Sequence, residues 1–254
     1  MIQLSKRLSA VASFVLPGGP LADIGTDHAL LPVALVQRGV VPSAVAGDVH
    51  PGPAQAAERQ VRASNLESRI SVRLGDGLRV LRPGEAATVA IAGMGGGTMV
   101  DILSAGGAAL QGVRRLVLQP NIGERLVREW LASNGWKLAE ETLLEEDGLM
   151  YEVLAADAAD SPEEADRWNA ALYDRPLPGL DRPSRSLRML LGPYLSDRPT
   201  ELFVRKWTAY AAKLETLIEQ IGRSASPDAQ RKREELAAER KALNEVLTWL
   251  SQSK

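Results

Sequence analysis

Two carboxylates and an imidazole fall within six residues of one another, directly behind an apolar segment: Asp23-Ile24-Gly25-Thr26-Asp27-His28. A turn at the start of a helix can carry the polar head of a ligand, and small residues let the backbone pass close beneath it. Only one glycine is present here, so this is not the Gly-x-Gly-x-x-Gly of a dinucleotide loop. Asp23 and Asp27 would repel a pyrophosphate. They suit a cationic, phosphate-free ligand, and the sulfonium and ammonium groups of S-adenosylmethionine fit that description. The plainer reading makes both acids turn formers or helix caps.

Other polar and glycine residues recur at the ends of apolar segments. Asp48 lies about 20 residues beyond the glycine, where an acid accepts hydrogen bonds from ribose hydroxyls. It reads equally well as a loop acid before Pro51. Gly75-Asp76-Gly77 is either a turn or an acid placed for the exocyclic amine of an adenine. Gly93-Met94-Gly95-Gly96-Gly97 lets the backbone approach a bound group. It follows the fourth apolar segment and not the first, and Thr98 stands where a dinucleotide loop needs its last glycine. In Gln119-Pro120-Asn121 the carboxamides can pair with the edge of a base, or Asn121 can cap a helix. His28 and His50 are the only histidines and cysteine is absent, so no metal site is expected.

The elements that must position these residues alternate. Helical patterns at 4–15, 30–38, 52–65, 98–110 and 123–134 are interleaved with strands at 21–25, 43–49, 69–74, 87–92 and 115–118. Segments 136–141 and 150–155 are expected as a closing antiparallel pair. This spacing predicts right-handed βαβ units and a mostly parallel sheet, with ligands at the carboxyl ends of the strands. Residues 157–199 carry Pro162, Pro176, Pro178, Pro183, Pro193 and Pro199 and read as a linker or irregular cap with one short helix at 162–172. Two long helical patterns, 200–222 and 227–252, make an antiparallel hairpin. Leu202, Trp207, Tyr210, Leu214, Leu217, Ile218 and Ile221 form the stripe of the first, and Leu236, Leu243, Val246, Leu247 and Leu250 that of the second.

With 254 residues and 45% hydrophobic content, the chain can bury a sizeable core. No apolar run reaches the roughly 18 residues of a membrane span. Residues 1–15 read as a surface helix and not as a signal peptide, and a cytoplasmic location is expected. The net charge of −2 disfavours a nucleic-acid partner only mildly, because residues 1–82 hold nine Lys and Arg against six Asp and Glu. A local basic face is therefore compatible with the acidic total.

The chain resembles a known family in Leu4-Ser5-Lys6-Arg7-Leu8, Asp23–Ala29, Gly75-Asp76-Gly77, Ile91-Ala92-Gly93-Met94-Gly95-Gly96, Leu118-Gln119-Pro120-Asn121 and Glu145-Glu146-Asp147-Gly148. These segments are similar, in order, to the bacterial tRNA (adenine-22-N1)-methyltransferases. Two departures are Asp48, where a glutamate is expected, and an additional glycine, Gly97. The resemblance implies a Rossmann-like class I methyltransferase domain over residues 1–156 and a coiled-coil-like helical hairpin over 200–254. It implies methyl transfer from S-adenosylmethionine to N1 of an adenine in the D-arm region of tRNA. Asp27 becomes the catalytic candidate, with His28 positioning it or binding cofactor. Cofactor contacts are expected from Asp23, Gly25, Thr26, His28, Asp48, Val49, Asp76, Gly77, Ala92, Gly93 and Met94. Substrate contacts are expected from Lys6, Arg7, Gly95, Gly96 and Asn121. Arg59, Arg62, Arg205, Lys206, Lys213, Arg231, Lys232 and Arg233 are further candidates for phosphate contacts, or else lie on solvated helix faces. The expected partners are tRNA, no metal and no membrane, with a monomer favoured over a homodimer through the hairpin. The alternatives are a methyltransferase for another substrate, or a non-catalytic S-adenosylmethionine binder with an oligomerisation hairpin.

Overall fold

The computed structural model describes residues 2–177, 179–180, 184–224 and 226–252. The chain forms two compact units, Met1–Asp166 and Arg167–Lys254.

The first unit runs α1 (Lys6–Ser13), β1 (Leu21–Ile24), α2 (Leu30–Gln37), β2 (Ala44–Asp48), α3 (Pro51–Ala63) and β3 (Ile70–Leu74). A 3-10 turn at Gly77–Val80 leads to β4 (Thr88–Met94) and α4 (Gly96–Ala105), and a second at Gly107–Leu110 leads to β5 (Arg115–Pro120). α5 (Glu124–Ser133), β6 (Trp136–Glu146) and β7 (Leu149–Ala158) complete it. The seven strands form one sheet in the order β3-β2-β1-β4-β5-β7-β6. β1 to β5 are parallel, and β7 runs antiparallel to both β5 and β6. The expected α/β class and closing antiparallel pair are both present.

Period-two alternation divides the strand residues between two cores. Ala44, Ala46, Ala90, Val117, Val153 and Ala155 cluster with Val11 of α1, Leu31 and Leu35 of α2, and Ala57 and Val61 of α3. The intervening Val45, Val89, Ile91, Leu116, Leu118 and Leu154 are buried on the other face. α4 and α5 pack on each other, α4 against β4 and α5 against β6. α1 is short but doubly capped. Ser5 accepts the Leu8 N–H (3.2 Å), and the Glu146 carboxylate accepts the N–H groups of Lys6 (2.6 Å) and Arg7 (3.4 Å). A carboxylate there also faces the positive end of the helix dipole.

Two local expectations need correction. The helix expected over 98–110 breaks at Gly106, where the Leu78 side chain fills the space a Cβ would need, 2.2 Å from Cδ1. Asn121 does not cap α5, which starts after Gly123 in a left-handed conformation.

α6 (Pro162–Tyr173) begins in the first unit and ends in the second. The second unit continues with α7 (Arg185–Leu191), α8 (Pro193–Asp197), α9 (Glu201–Ile221) and α10 (Pro227–Gln252). Among its described residues the stretch 157–199 therefore holds three helices, and its Leu172, Tyr173, Leu177, Leu187 and Leu191 are buried. Arg188, also buried, organises the irregular part: it donates to the carbonyls of Arg175 (2.9 Å) and Pro176 (2.5 Å) and pairs with Asp197 (3.0 Å). Pro178 and Pro183 lie outside the described residues. α9 and α10 pack antiparallel, with Tyr210 donating to Glu239 (2.9 Å) and Arg240 pairing with Glu215 (2.6 Å). The buried residues of α9 are Phe203, Trp207, Ala211 and Leu214. Leu217, placed in the stripe by spacing, is exposed.

Candidate active site

Strand order reverses between β1 and β4, and an open parallel sheet binds ligands at the carboxyl ends of its strands at such a point. A cleft of about 500 Å³ lies there. Of the predicted cofactor residues it is lined by Gly25, Asp48, Val49, Asp76, Gly77 and Met94. Thr98, Asp101, Ile102 and Ala105 of α4 form another wall, together with Leu78 and Arg79. Sequence reasoning missed the α4 wall, although the spacing 98, 101, 102, 105 is that of one helical face.

The β1–α2 loop is held tightly. The N–H groups of Gly25 and Thr26 both donate to the Gly47 carbonyl, at 2.8 and 3.0 Å. The Thr26 hydroxyl donates to Asp23 at 2.6 Å. A side chain at Gly25 would collide with Met94, whose Cε lies 2.0 Å from the ideal Cβ position, so this glycine lets the loop lie against the end of β4. His28 and Ala29 are both left-handed, at φ 60° and 50°. Neither is glycine, so the loop holds strained backbone, which at functional sites costs of order 1–3 kcal/mol per residue.

The acids on either side of this turn, Asp23 near the end of β1 and Asp27 in the loop, differ. Asp23 is buried, and its pKa is pushed up to about 6 by desolvation and by the neighbouring Asp48 charge, against the Thr26 hydrogen bond. Asp27 is 78% exposed, and its Oδ1 lies 3.3 Å from His28 Nε2. Asp48 is buried and accepts the His50 N–H at 2.7 Å. Asp76 is exposed beside Arg79, at 3.4 Å. Asp23, Thr26, Asp27, His28, Ala92 and Gly93 lie outside the cleft lining, as do Gly95, Gly96 and Asn121.

Beyond the switch point, one hydrogen-bonded chain ties three segments together. Gln119, fully buried, accepts from Arg7 Nη1 (2.6 Å) and from the Gly93 N–H (3.1 Å) through the same oxygen. Its amide nitrogen donates to the Pro120 carbonyl (2.9 Å) and to Asn121 Oδ1 (3.2 Å). Asn121 Nδ2 in turn donates to the Gly93 carbonyl (2.9 Å). Arg7 also lies over the Tyr151 ring, 5.5 Å from its centroid. Its guanidinium therefore points into this floor, whereas Lys6 is exposed. The pairing of Arg7 with Gln119, across 112 residues of sequence, had no signal in spacing.

Glycine-permitted close packing, paired acids and the absence of a phosphate-binding glycine loop fit a cationic nucleoside cofactor. With the β3-β2-β1-β4-β5-β7-β6 sheet, they define a class I S-adenosylmethionine-dependent methyltransferase. A family model described as tRNA (adenine(22)-N(1))-methyltransferase matches residues 21–245. The Bacillus subtilis tRNA (adenine(22)-N(1))-methyltransferase is 42% identical over 247 residues, covering 97% of this chain and 98% of that one. The crystal structure of B. subtilis TrmK superposes with a TM-score of 0.87 at 42% identity, covering 97% of this chain and all of that one. Streptococcus pneumoniae Sp1610, solved in complex with S-adenosyl-L-methionine, superposes with a TM-score of 0.79 at 37% identity, covering 96% and 100% of the two chains. The chain belongs to the tRNA (adenine(22)-N(1))-methyltransferase family.

Proposed function

We propose that the chain methylates N1 of adenine 22 in the D arm of tRNA, using S-adenosylmethionine. The observation that carries this reading is a family match that runs through both units and is not confined to the cofactor fold. The cofactor supplies an electrophilic methyl group on a sulfonium.

Asp48 and Asp76, which line the cleft together with Gly25 and Met94, accept hydrogen bonds from its ribose and adenine in this reading. Asp23, close enough to Asp48 to feel its charge, adds negative potential beneath a cationic ligand. The N1 lone pair of an adenine lies in the ring plane, so the base must arrive edge-on, and holding it so supplies much of the rate. Gly93 to Gly96 and Asn121 frame that approach, with the Gly93 backbone fixed by Gln119 and Asn121. N1-methylation leaves the ring cationic. The Asp27 carboxylate balances that charge or takes a proton from N6, and His28 orients it.

The protein acts as a monomer, and the exposed cations of α3 and the hairpin, Arg59, Arg62, Lys213 and Arg231 to Arg233, contact tRNA phosphates. No described helix is long and apolar enough to cross a membrane. Asp27→Asn tests the catalytic reading. Cofactor affinity is expected to change less than threefold while the rate falls about 100-fold or more. Undiminished transfer would remove Asp27 from the mechanism.

A further inference from the structure

Ile122 is 73% exposed, yet it sits at the carboxyl end of the central sheet, on the segment joining β5 to α5. A lone exposed isoleucine is ordinary. This one is distinguished by how its backbone is held. Asn121 N–H donates to the Met94 carbonyl at 2.7 Å, and Asn121 Nδ2 to the Gly93 carbonyl. The Ile122 carbonyl accepts the Gly96 N–H at 2.8 Å. Gly96 and Gly123 approach so closely that a Cβ on Gly96 would lie 2.3 Å from the Gly123 oxygen. Leu126, half exposed, follows one turn later and packs toward Gly123. The result is a rigid apolar knuckle, clamped to the glycine loop that frames the substrate and presenting its tip to solvent.

An adenine in a base-paired arm must leave its stack before its N1 can be reached, and unstacking is a barrier. Proteins that open a stack insert an apolar side chain into the gap, where it replaces lost stacking contact. An inserted side chain works only if its backbone does not yield, which is the property the three carbonyl anchors confer. We propose that Ile122 is that wedge, entering the D-arm stack at the place vacated by the target adenine. The proposal rests on the tRNA adenine reading above.

The test compares wild type, Ile122→Ala and the bulky rescue Ile122→Met on two tRNAs. One has the target adenine paired, and the other has an abasic site opposite it. A third tRNA, with 2-aminopurine at the target position, reports unstacking by fluorescence. Ile122→Ala is expected to lose tenfold or more in kcat/KM on paired tRNA but less than threefold on the abasic-partner tRNA, with a weakened fluorescence rise. Cofactor affinity is expected to be unchanged, and Ile122→Met to recover most of the loss. Equal losses on both tRNAs would mean that Ile122 contacts the base itself, and no loss on either that it does nothing. Both outcomes overturn the wedge. Failure of the wild type to methylate either tRNA would instead sink the underlying functional reading.

Discussion

Asp23 stands near the end of β1 and Asp27 on the loop that follows, and their surroundings separate them. Asp27 is open to solvent, where an approaching substrate can meet it; Asp23 is enclosed and protonates near pH 6. The sign of the Asp23 effect follows from its direction. In the unfolded chain an aspartate releases its proton near pH 3.8, and in the folded protein it holds it until about pH 6. Folding is therefore favoured below the unfolded value and loses stability as pH rises between the two. Above pH 6 the full penalty, about 3 kcal/mol, applies. Asp23→Asn is expected to stabilise the cofactor-free protein at pH 8 by up to about that amount, with the gain shrinking below pH 6 and vanishing near pH 4. Urea unfolding at several pH values measures it, and a pH-independent difference would contradict the assignment. A cationic ligand should lower the Asp23 pKa, so cofactor binding near pH 6 should release a proton, visible by calorimetry in buffers of different ionisation enthalpy. The acids were legible in the sequence because Asp23 falls near the end of an apolar strand and Asp27 in the turn that follows it. The contrast between Asp23 and Asp27 was not, since it depends on what packs over them.

At the scale of elements, β1, β2, β4 and β5 were legible as short apolar runs closed by polar, glycine or proline residues, and β3 by its period-two alternation. In 157–199 the helix read at 162–172 is present as α6, whereas α7 and α8 were not read. α7 and α8 are short, and the prolines around them suggest a linker until Arg188 is seen joining the backbone carbonyls of 175–176 to the Asp197 carboxylate. A second buried arginine does comparable work in the first unit. Arg128 of α5 pairs with Glu141 of β6 at 2.6 Å and with Glu152 of β7, all three side chains wholly buried. Nothing in their spacing announces this, because it needs a helix and two strands to meet. Arg128→Met removes the cation both carboxylates share and is expected to destabilise by about 3–5 kcal/mol, read from the urea midpoint. A change below about 1 kcal/mol would show that the pairings carry little.

At the scale of the whole molecule, a chain with net charge −2 must still hold a polyanion. Local cations make that workable, and α10 carries Arg231, Lys232 and Arg233 in one exposed run, partly balanced by Asp228 and Glu235. Replacing all three with alanine is expected to weaken tRNA binding about tenfold at moderate salt and to flatten its salt dependence, leaving cofactor affinity intact. An unchanged salt slope would place the RNA contacts elsewhere. The hairpin was readable from its apolar stripes, which include the buried Trp207, Leu214, Leu243, Val246 and Leu250, whereas the buried Phe203 and Ala211 lie outside them.

The measurement that bears most directly on the central claim is transfer of a labelled methyl group from S-adenosylmethionine to total tRNA from cells lacking this modification. The label is predicted to appear in N1-methyladenosine at position 22, and to fall sharply with Asp27→Asn. Label on DNA, protein or small molecules, but never on tRNA, would contradict it.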